Sequence, residues 1–213
     1  MKTAAWQAII FDFDGVVVES GEIKTQAFAN LYQEYGETVM AEVAKYHVLN
    51  GGMSRYHKFR YFQETLLEKP PLTAEEERQL DQRFSELVVE AVIASAPVPG
   101  AAELIQREAE RIPLFVASGT PEAELNTIVV RRGLASYFTA VRGSPTPKQK
   151  LIGDILSTHG LLPERVLMIG DALIDYQSAM VNNVAFIGRV RLGDQNPFPP
   201  HVDILPDLNP LLL

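Results

Sequence analysis

The sequence contains no cysteine. That excludes disulfides, a thiolate nucleophile and thiolate-ligated zinc, so any reactive group must be an oxygen or a nitrogen. A Lys/Arg-rich stripe is missing too. The 27 acidic residues outnumber the 19 basic ones for a net charge of -8, a balance that argues against tracking the phosphates of a nucleic acid. Long apolar runs are absent, and the opening MKTAAWQAIIFDFDG meets Asp12 too soon for a signal peptide or a membrane span. A cytoplasmic protein without a membrane or nucleic-acid partner is the simplest expectation. There is no internal repeat and no long low-complexity tract, although QNPFPP, Gln195 to Pro200, is proline-rich enough to be irregular.

What is present is a chain of 213 residues, 46% hydrophobic, enough for one large domain or for a core with a smaller insert. Four apolar runs are continuous rather than alternating: AIIF (Ala8 to Phe11), LFVA (Leu114 to Ala117), VLMI (Val166 to Ile169) and VAFI (Val184 to Ile187). Continuous runs of this length read as strands covered on both faces, and hence as a parallel sheet. Helix-like stretches at Gly100 to Arg111, Glu122 to Arg132 and Lys148 to His159 alternate with them. The fold class is therefore α/β, a doubly wound parallel sheet of Rossmann type.

The region from Ser20 to Ala94 has no convincing strand and several amphipathic stretches: Ile23 to Tyr35, Tyr56 to Leu67, and Thr73 to Val92, the last opened by a Thr73/Glu76 capping box. It reads as an all-helical insert after the first strand, with SAPVPG, Ser95 to Gly100, as the return linker. The expected division is a core of residues 1–18 and 96–213 and a helical domain of residues 19–95.

Three of the apolar runs end in polar residues: AIIF in Asp12 and Asp14, LFVA in Ser118, Gly119 and Thr120, VLMI in Gly170 and Asp171. In an open parallel sheet the carboxyl ends of the strands share one edge, and ligands bind in the crevice outside it. These residues are expected to meet there, with Asp175 on the same side as Asp171 because an opening helical turn superimposes residues four apart. Carboxylates so crowded repel one another unless a cation joins them, and an all-oxygen set favours Mg²⁺ acting on phosphate. Taken singly, the aspartates could be strand-end polar residues and Ser118 to Thr120 a helix cap.

In this order, DFDG, ASGT, SPTPK and GDALID resemble the motifs of the haloacid dehalogenase-like superfamily, in its phosphatase branch with a helical cap, the group of phosphoglycolate phosphatases and β-phosphoglucomutases. The resemblance spans nearly the whole chain. It implies that Asp12 is the nucleophile forming an aspartyl-phosphate and Asp14 the general acid and base. It further implies that Ser118 and the Gly119 backbone hold a phosphoryl oxygen and that a lysine after the SPTP turn neutralises charge, Lys148 because it directly follows that turn, with Lys150 as the alternative. Mg²⁺ would lie among Asp12, the Asp14 carbonyl and Asp171, with Asp175 orienting them. The implied activity is phosphatase action on a small phosphorylated metabolite, with a sugar-phosphate mutase as the alternative and a phosphoacceptor signalling module as a more distant one.

Two departures from the family pattern concern the frame: Glu19 stands where a shorter aspartate is usual, and Asn182 and Asn183 replace an Ala-Gly pair, so that one asparagine is expected in a left-handed turn. In the insert, Asn50 to Phe62 (NGGMSRYHKFRYF) adds Arg55, Lys58 and Arg60 to an acidic chain. Arg55 is expected to fork onto a substrate carboxylate or second phosphate, with a solvated helix-start charge as the alternative. His47 and His57 are not spaced as a metal pair and read as surface or packing residues. Oligomeric state is not legible.

Overall fold

The structure, a computed structural model, describes residues 6–212. Six parallel strands run β1 (Ala8–Phe11), β2 (Leu114–Pro121), β3 (Ala140–Ser144), β4 (Val166–Gly170), β5 (Ala185–Arg189) and β6 (Ile204–Leu205), in the sheet order β3-β2-β1-β4-β5-β6. The chain builds outward from β1 to one edge, then returns to β1's other flank with β4. The order therefore reverses between β1 and β4, and their carboxyl ends border the crevice that such a reversal opens.

Strand alternation explains why the apolar runs are continuous. Ile9 and Phe11 of β1 join the cluster that holds Leu104 and Ile105 of α5 (Ala101–Ala109) and Leu125 and Ile128 of α6 (Glu122–Arg131). Ala8 and Ile10 face the opposite cluster, with Leu151, Ile152 and Ile155 of α7 (Lys148–His159) and Ala179 of α8 (Leu173–Val181). Helices thus cover both faces, and each strand residue has a buried side to fill.

Between β1 and α5 lie α1 (Gly21–Leu31), α2 (Glu37–Leu49), α3 (Arg55–Tyr61) and α4 (Ala74–Ala94). Their interior is aromatic: Phe28, Phe59, Phe62 and Phe84 are all at most 2% exposed, and the Phe28 and Phe84 rings lie 4.2 Å apart. Burying each ring contributes roughly 1.5–3 kcal/mol. The Thr73/Glu76 capping box forms, with Glu76 N–H donating to Thr73 Oγ1 and Thr73 N–H to Glu76 Oε2. The stretch expected as one helix from Tyr56 breaks after Tyr61 into a wider turn at Phe62–Leu66.

The chain leaves the sheet and returns to it at one place. Glu19 N–H donates to the Ala96 carbonyl (2.9 Å) and Val98 N–H to the Val17 carbonyl (3.1 Å). Asn183 adopts the left-handed turn (φ 55°) anticipated for one of the two asparagines. Among the described residues no helix is long and apolar enough to cross a membrane.

Candidate active site

The register of β1 and β4 sets the site. Phe11 pairs with Ile169, and Asp12 N–H donates to the Ile169 carbonyl, so Asp12 and Asp171 emerge side by side at the crevice. Asp12, Asp171 and Asp175 each offer an oxygen within 4.8 Å of the others. Lys148, at the first turn of α7, reaches in from the other side: its Nζ is 3.0 Å from Asp12 Oδ1 and donates to Asp175 Oδ1. Lys150 lies on the surface, paired with Asp154.

Burial raises the Asp12 carboxyl to about 7 against the opposing pull of Lys148, with Asp175 and Asp14 adding to the rise. Burial and the charges of Asp12 and Asp175 likewise push Asp171 well above the ordinary carboxyl range. Lys148 is buried too, yet Asp12 and Asp175 outweigh that cost and hold it protonated. Two aspartates raised by burial and mutual repulsion suit a divalent cation with oxygen ligands, whose charge would favour their ionised form. Asp175 has both oxygens engaged, Oδ1 by Lys148 and Oδ2 by Ala172 N–H (3.0 Å). It fixes the lysine and the β4–α8 turn, and leaves Asp12 and Asp171 as the carboxylates that could hold a cation. Gly170 is required here, since a Cβ on it would lie 2.4 Å from the Asp175 Cβ.

Asp14 stands apart from the carboxylate cluster. It accepts from Ser20 Oγ (2.6 Å), Lys24 Nζ (2.5 Å) and Thr120 Oγ1 (2.9 Å). Burial opposes its charge, but Lys24 and these hydrogen bonds prevail and hold the carboxyl below its ordinary range. Ser118 is buried, and its Oγ accepts from Thr120 N–H (3.1 Å), which leaves the hydroxyl hydrogen free for an oxygen in the crevice.

The helical block closes over this edge. Gly52 (φ +70°) has no room for a side chain beside Ile174, and a Cβ on Gly119 would lie 2.4 Å from the Gly52 carbonyl. The two glycines of NGG therefore do more than end α2: they let the loop touch the β2 and β4 turns. Together the two walls enclose a cavity of about 1010 Å³, lined by Asp12, Asp14, Ser118 and Asp171 from the sheet side and by His47 and Lys58 from the block.

Arg55 does not meet the expectation of an open guanidinium. It is 4% exposed and donates to Asp81 (3.1 Å), Ser85 (2.9 Å) and Glu124, so it ties α3 to α4 and to α6 of the sheet layer. Glu19 is held by Arg189 through two hydrogen bonds, 2.6 and 3.1 Å. Sequence reasoning brought Thr120 to the crevice without giving it a partner, missed Lys24 and His47 as site residues, and noted Lys58 only as a charge. The one available signal was Lys58 following Arg55 by one helical turn.

A family model described as haloacid dehalogenase-like hydrolase matches residues 6–180. A phosphoglycolate phosphatase of Synechococcus elongatus is 28% identical over 177 residues, covering 81% of this chain and 78% of its own. A phosphorylated carbohydrates phosphatase of Thermotoga maritima is 25% identical over 184 residues, covering 81% and 80%. Among solved structures, CbbY from Rhodobacter sphaeroides in complex with phosphate superimposes with a TM-score of 0.75 over 97% of this chain and 96% of its own, at 20% identity. That last likeness is one of fold.

Proposed function

The chain belongs to the haloacid dehalogenase-like hydrolases, and from this we propose that it is a Mg²⁺-dependent phosphatase of a small phosphorylated metabolite, working through an aspartyl-phosphate on Asp12. The observation that carries the reading is Asp12 between Lys148 and Asp171 at the strand-order reversal, with a second carboxyl, Asp14, two residues along. The relatives named as phosphatases support the same substrate class.

In this mechanism a carboxylate oxygen of Asp12 attacks phosphorus while the bond from phosphorus to the leaving oxygen breaks. Asp14 gives its proton to that oxygen, then takes one from the water that attacks phosphorus and frees Asp12 and inorganic phosphate. As seen, Asp14 is ionised by Lys24 and its hydrogen bonds, the form the second step needs; the negative charge of a bound phosphate raises its proton affinity for the first. Ser118 and the Gly119 backbone hold a phosphoryl oxygen, and Lys148 offsets the charge between Asp12 and phosphate. Mg²⁺, held by Asp12, Asp171 and the Asp14 carbonyl, would supply Lewis-acid stabilisation of the phosphoryl charge. Residues 19–95 act as a cap, and residues 1–18 with 96–213 as the catalytic core.

The test is phosphate release from sugar phosphates, phosphoglycolate, nucleotides and an aryl phosphate, with and without Mg²⁺, for the wild type and Asp12→Asn. Release that requires both Mg²⁺ and Asp12 is expected. Isomerisation of a sugar phosphate without release would replace the hydrolase reading with a mutase.

A further inference from the structure

Two of the three groups assigned above to Mg²⁺ meet at Gly15. The Asp14 carbonyl belongs to the peptide that ends in Gly15 N–H, and a Cβ on Gly15 would lie 2.1 Å from Asp171 Oδ2. A glycine at positive φ (+76°) has no side chain to restrain the two peptide planes that flank it, so neighbouring groups must hold them. Val18 holds the first, its carbonyl accepting from Gly15 N–H (2.7 Å). Because carbonyl and N–H point in opposite directions across a trans peptide, that bond also sets the direction of the Asp14 carbonyl.

Arg189 holds the second. It is the last residue of β5, is buried, and donates from Nη1 to the Gly15 carbonyl (3.2 Å). Its other bonds keep it in place: Nη1 and Nη2 fork onto Glu19 (3.1 and 2.6 Å), and Nε donates to the Pro206 carbonyl (3.0 Å). Although Arg189 lines the cavity, each of its three nitrogens is engaged by an oxygen of the protein itself. Packing at the end of a strand needs no charge, and an apolar side chain would serve it as well as a buried ion pair does. What the planar guanidinium adds is a fork that holds a carboxylate and a carbonyl at fixed angles, which a lysine does not.

We propose that Arg189 is a positioning residue for the metal site: by holding the Gly15 carbonyl it fixes this glycine against Asp171 and keeps the Asp14 carbonyl directed at the cation, with Glu19 as its counter-charge. This rests on the part of the phosphatase reading that puts Mg²⁺ among Asp12, Asp171 and the Asp14 carbonyl.

The experiment is calorimetric titration of Mg²⁺ into the substrate-free protein, for the wild type, Arg189→Met, Arg189→Lys and Glu19→Gln, beside urea unfolding of each without Mg²⁺. Arg189→Met is expected to raise the Mg²⁺ Kd about 10- to 100-fold, the usual effect of losing a group that orients a metal ligand, and Arg189→Lys to raise it less. Glu19→Gln removes the counter-charge but leaves the bond to Gly15. It is expected to lower the urea midpoint while the Kd stays close to that of the wild type. An unchanged Kd in Arg189→Met overturns the proposal, and so do equal rises in Arg189→Met and Glu19→Gln, which would mark a general loosening of the fold. Should Arg189→Met fail to fold, Arg189→Lys decides in its place, and an unchanged Kd there overturns the proposal. A wild type that binds no Mg²⁺ overturns it together with the metal site. Because binding is the readout, a wild type that binds Mg²⁺ but releases phosphate from no ester refutes the phosphatase reading alone.

Discussion

Replacing Arg55 by methionine separates two accounts of the only arginine in the glycine-rich loop and the helix that follows it whose side chain lines the cavity. In the structure its guanidinium joins Asp81, Ser85 and Glu124, with its central carbon 4.6 Å from the Phe84 ring centre. Methionine keeps most of the volume but strands Glu124, whose side chain is 8% exposed, with Ser85 as its remaining partner; Asp81, at 27%, can turn to water. Breaking a buried pair from one side typically costs 3–5 kcal/mol, and the freedom of Asp81 places this case at the lower end, about 3 kcal/mol. For a chain of this size that lowers Tm by about 6–12 °C. Adding Glu124→Gln removes the stranded charge and is expected to restore part of the loss. Urea and thermal unfolding of the single and double variants, beside KM for the best ester, is the assay. A single variant within about 1 kcal/mol of wild type but with a large rise in KM would show that the guanidinium serves substrate, and would refute the ion-pair account.

Other perturbations follow from the same contacts. In Gly15→Ala a Cβ would lie 2.1 Å from Asp171 Oδ2 at a backbone φ of +76°, so about 1–2 kcal/mol of stability is lost and half-saturation by Mg²⁺ shifts upward; an unchanged Mg²⁺ titration of phosphate release contradicts the assigned role of Asp171. Phe84→Ala opens the aromatic interior against Phe28 and removes the ring beneath Arg55, and is expected to cost about 3–5 kcal/mol in urea unfolding. Lys58, faced by Lys24, His47, Asp14 and Asp171, sits at about 7 in the fold against an ordinary value of 10.5. A basic group lowered on folding destabilises fully below its folded value, and the penalty fades as pH approaches the unfolded one. Urea midpoints are therefore expected to show the wild type gaining a few kcal/mol on Lys58→Met between pH 7 and 10; parallel curves would contradict a buried, uncompensated ammonium.

The legible parts of the molecule were those fixed by local pattern. AIIF and VLMI showed as strands because both faces are covered, and Lys148–His159 because its apolar spacing is helical. Strand-end residues could be brought together from sequence because a parallel sheet gathers its carboxyl ends at one edge. β3 was missed: AVRGS is half exposed, carries an arginine and a glycine, and owes its place to pairing with β2. Arg55 was misread because Asp81 and Glu124 lie 26 and 69 residues away, on helices whose packing no local pattern announces. Lys24, His47 and Lys58 escaped for the same reason, since a cation on a helix looks alike whether it meets solvent or closes a cavity.

The adjoining of Glu19 with Ala96, and of Val17 with Val98, places both ends of the helical block at a single point on the sheet. The strands on either side of that point, β1 and β2, are already neighbours, so the sheet's connectivity does not depend on what is inserted between them. Excision of the block would leave ends that a short turn can join without rethreading any strand. Inheritance can therefore exchange the block as one piece, provided that the replacement again supplies partners for Asp14 where Ser20 and Lys24 now stand. One contiguous stretch of gene thus encodes the block, while the register that aligns Asp12 with Asp171 is set by strands that lie outside it.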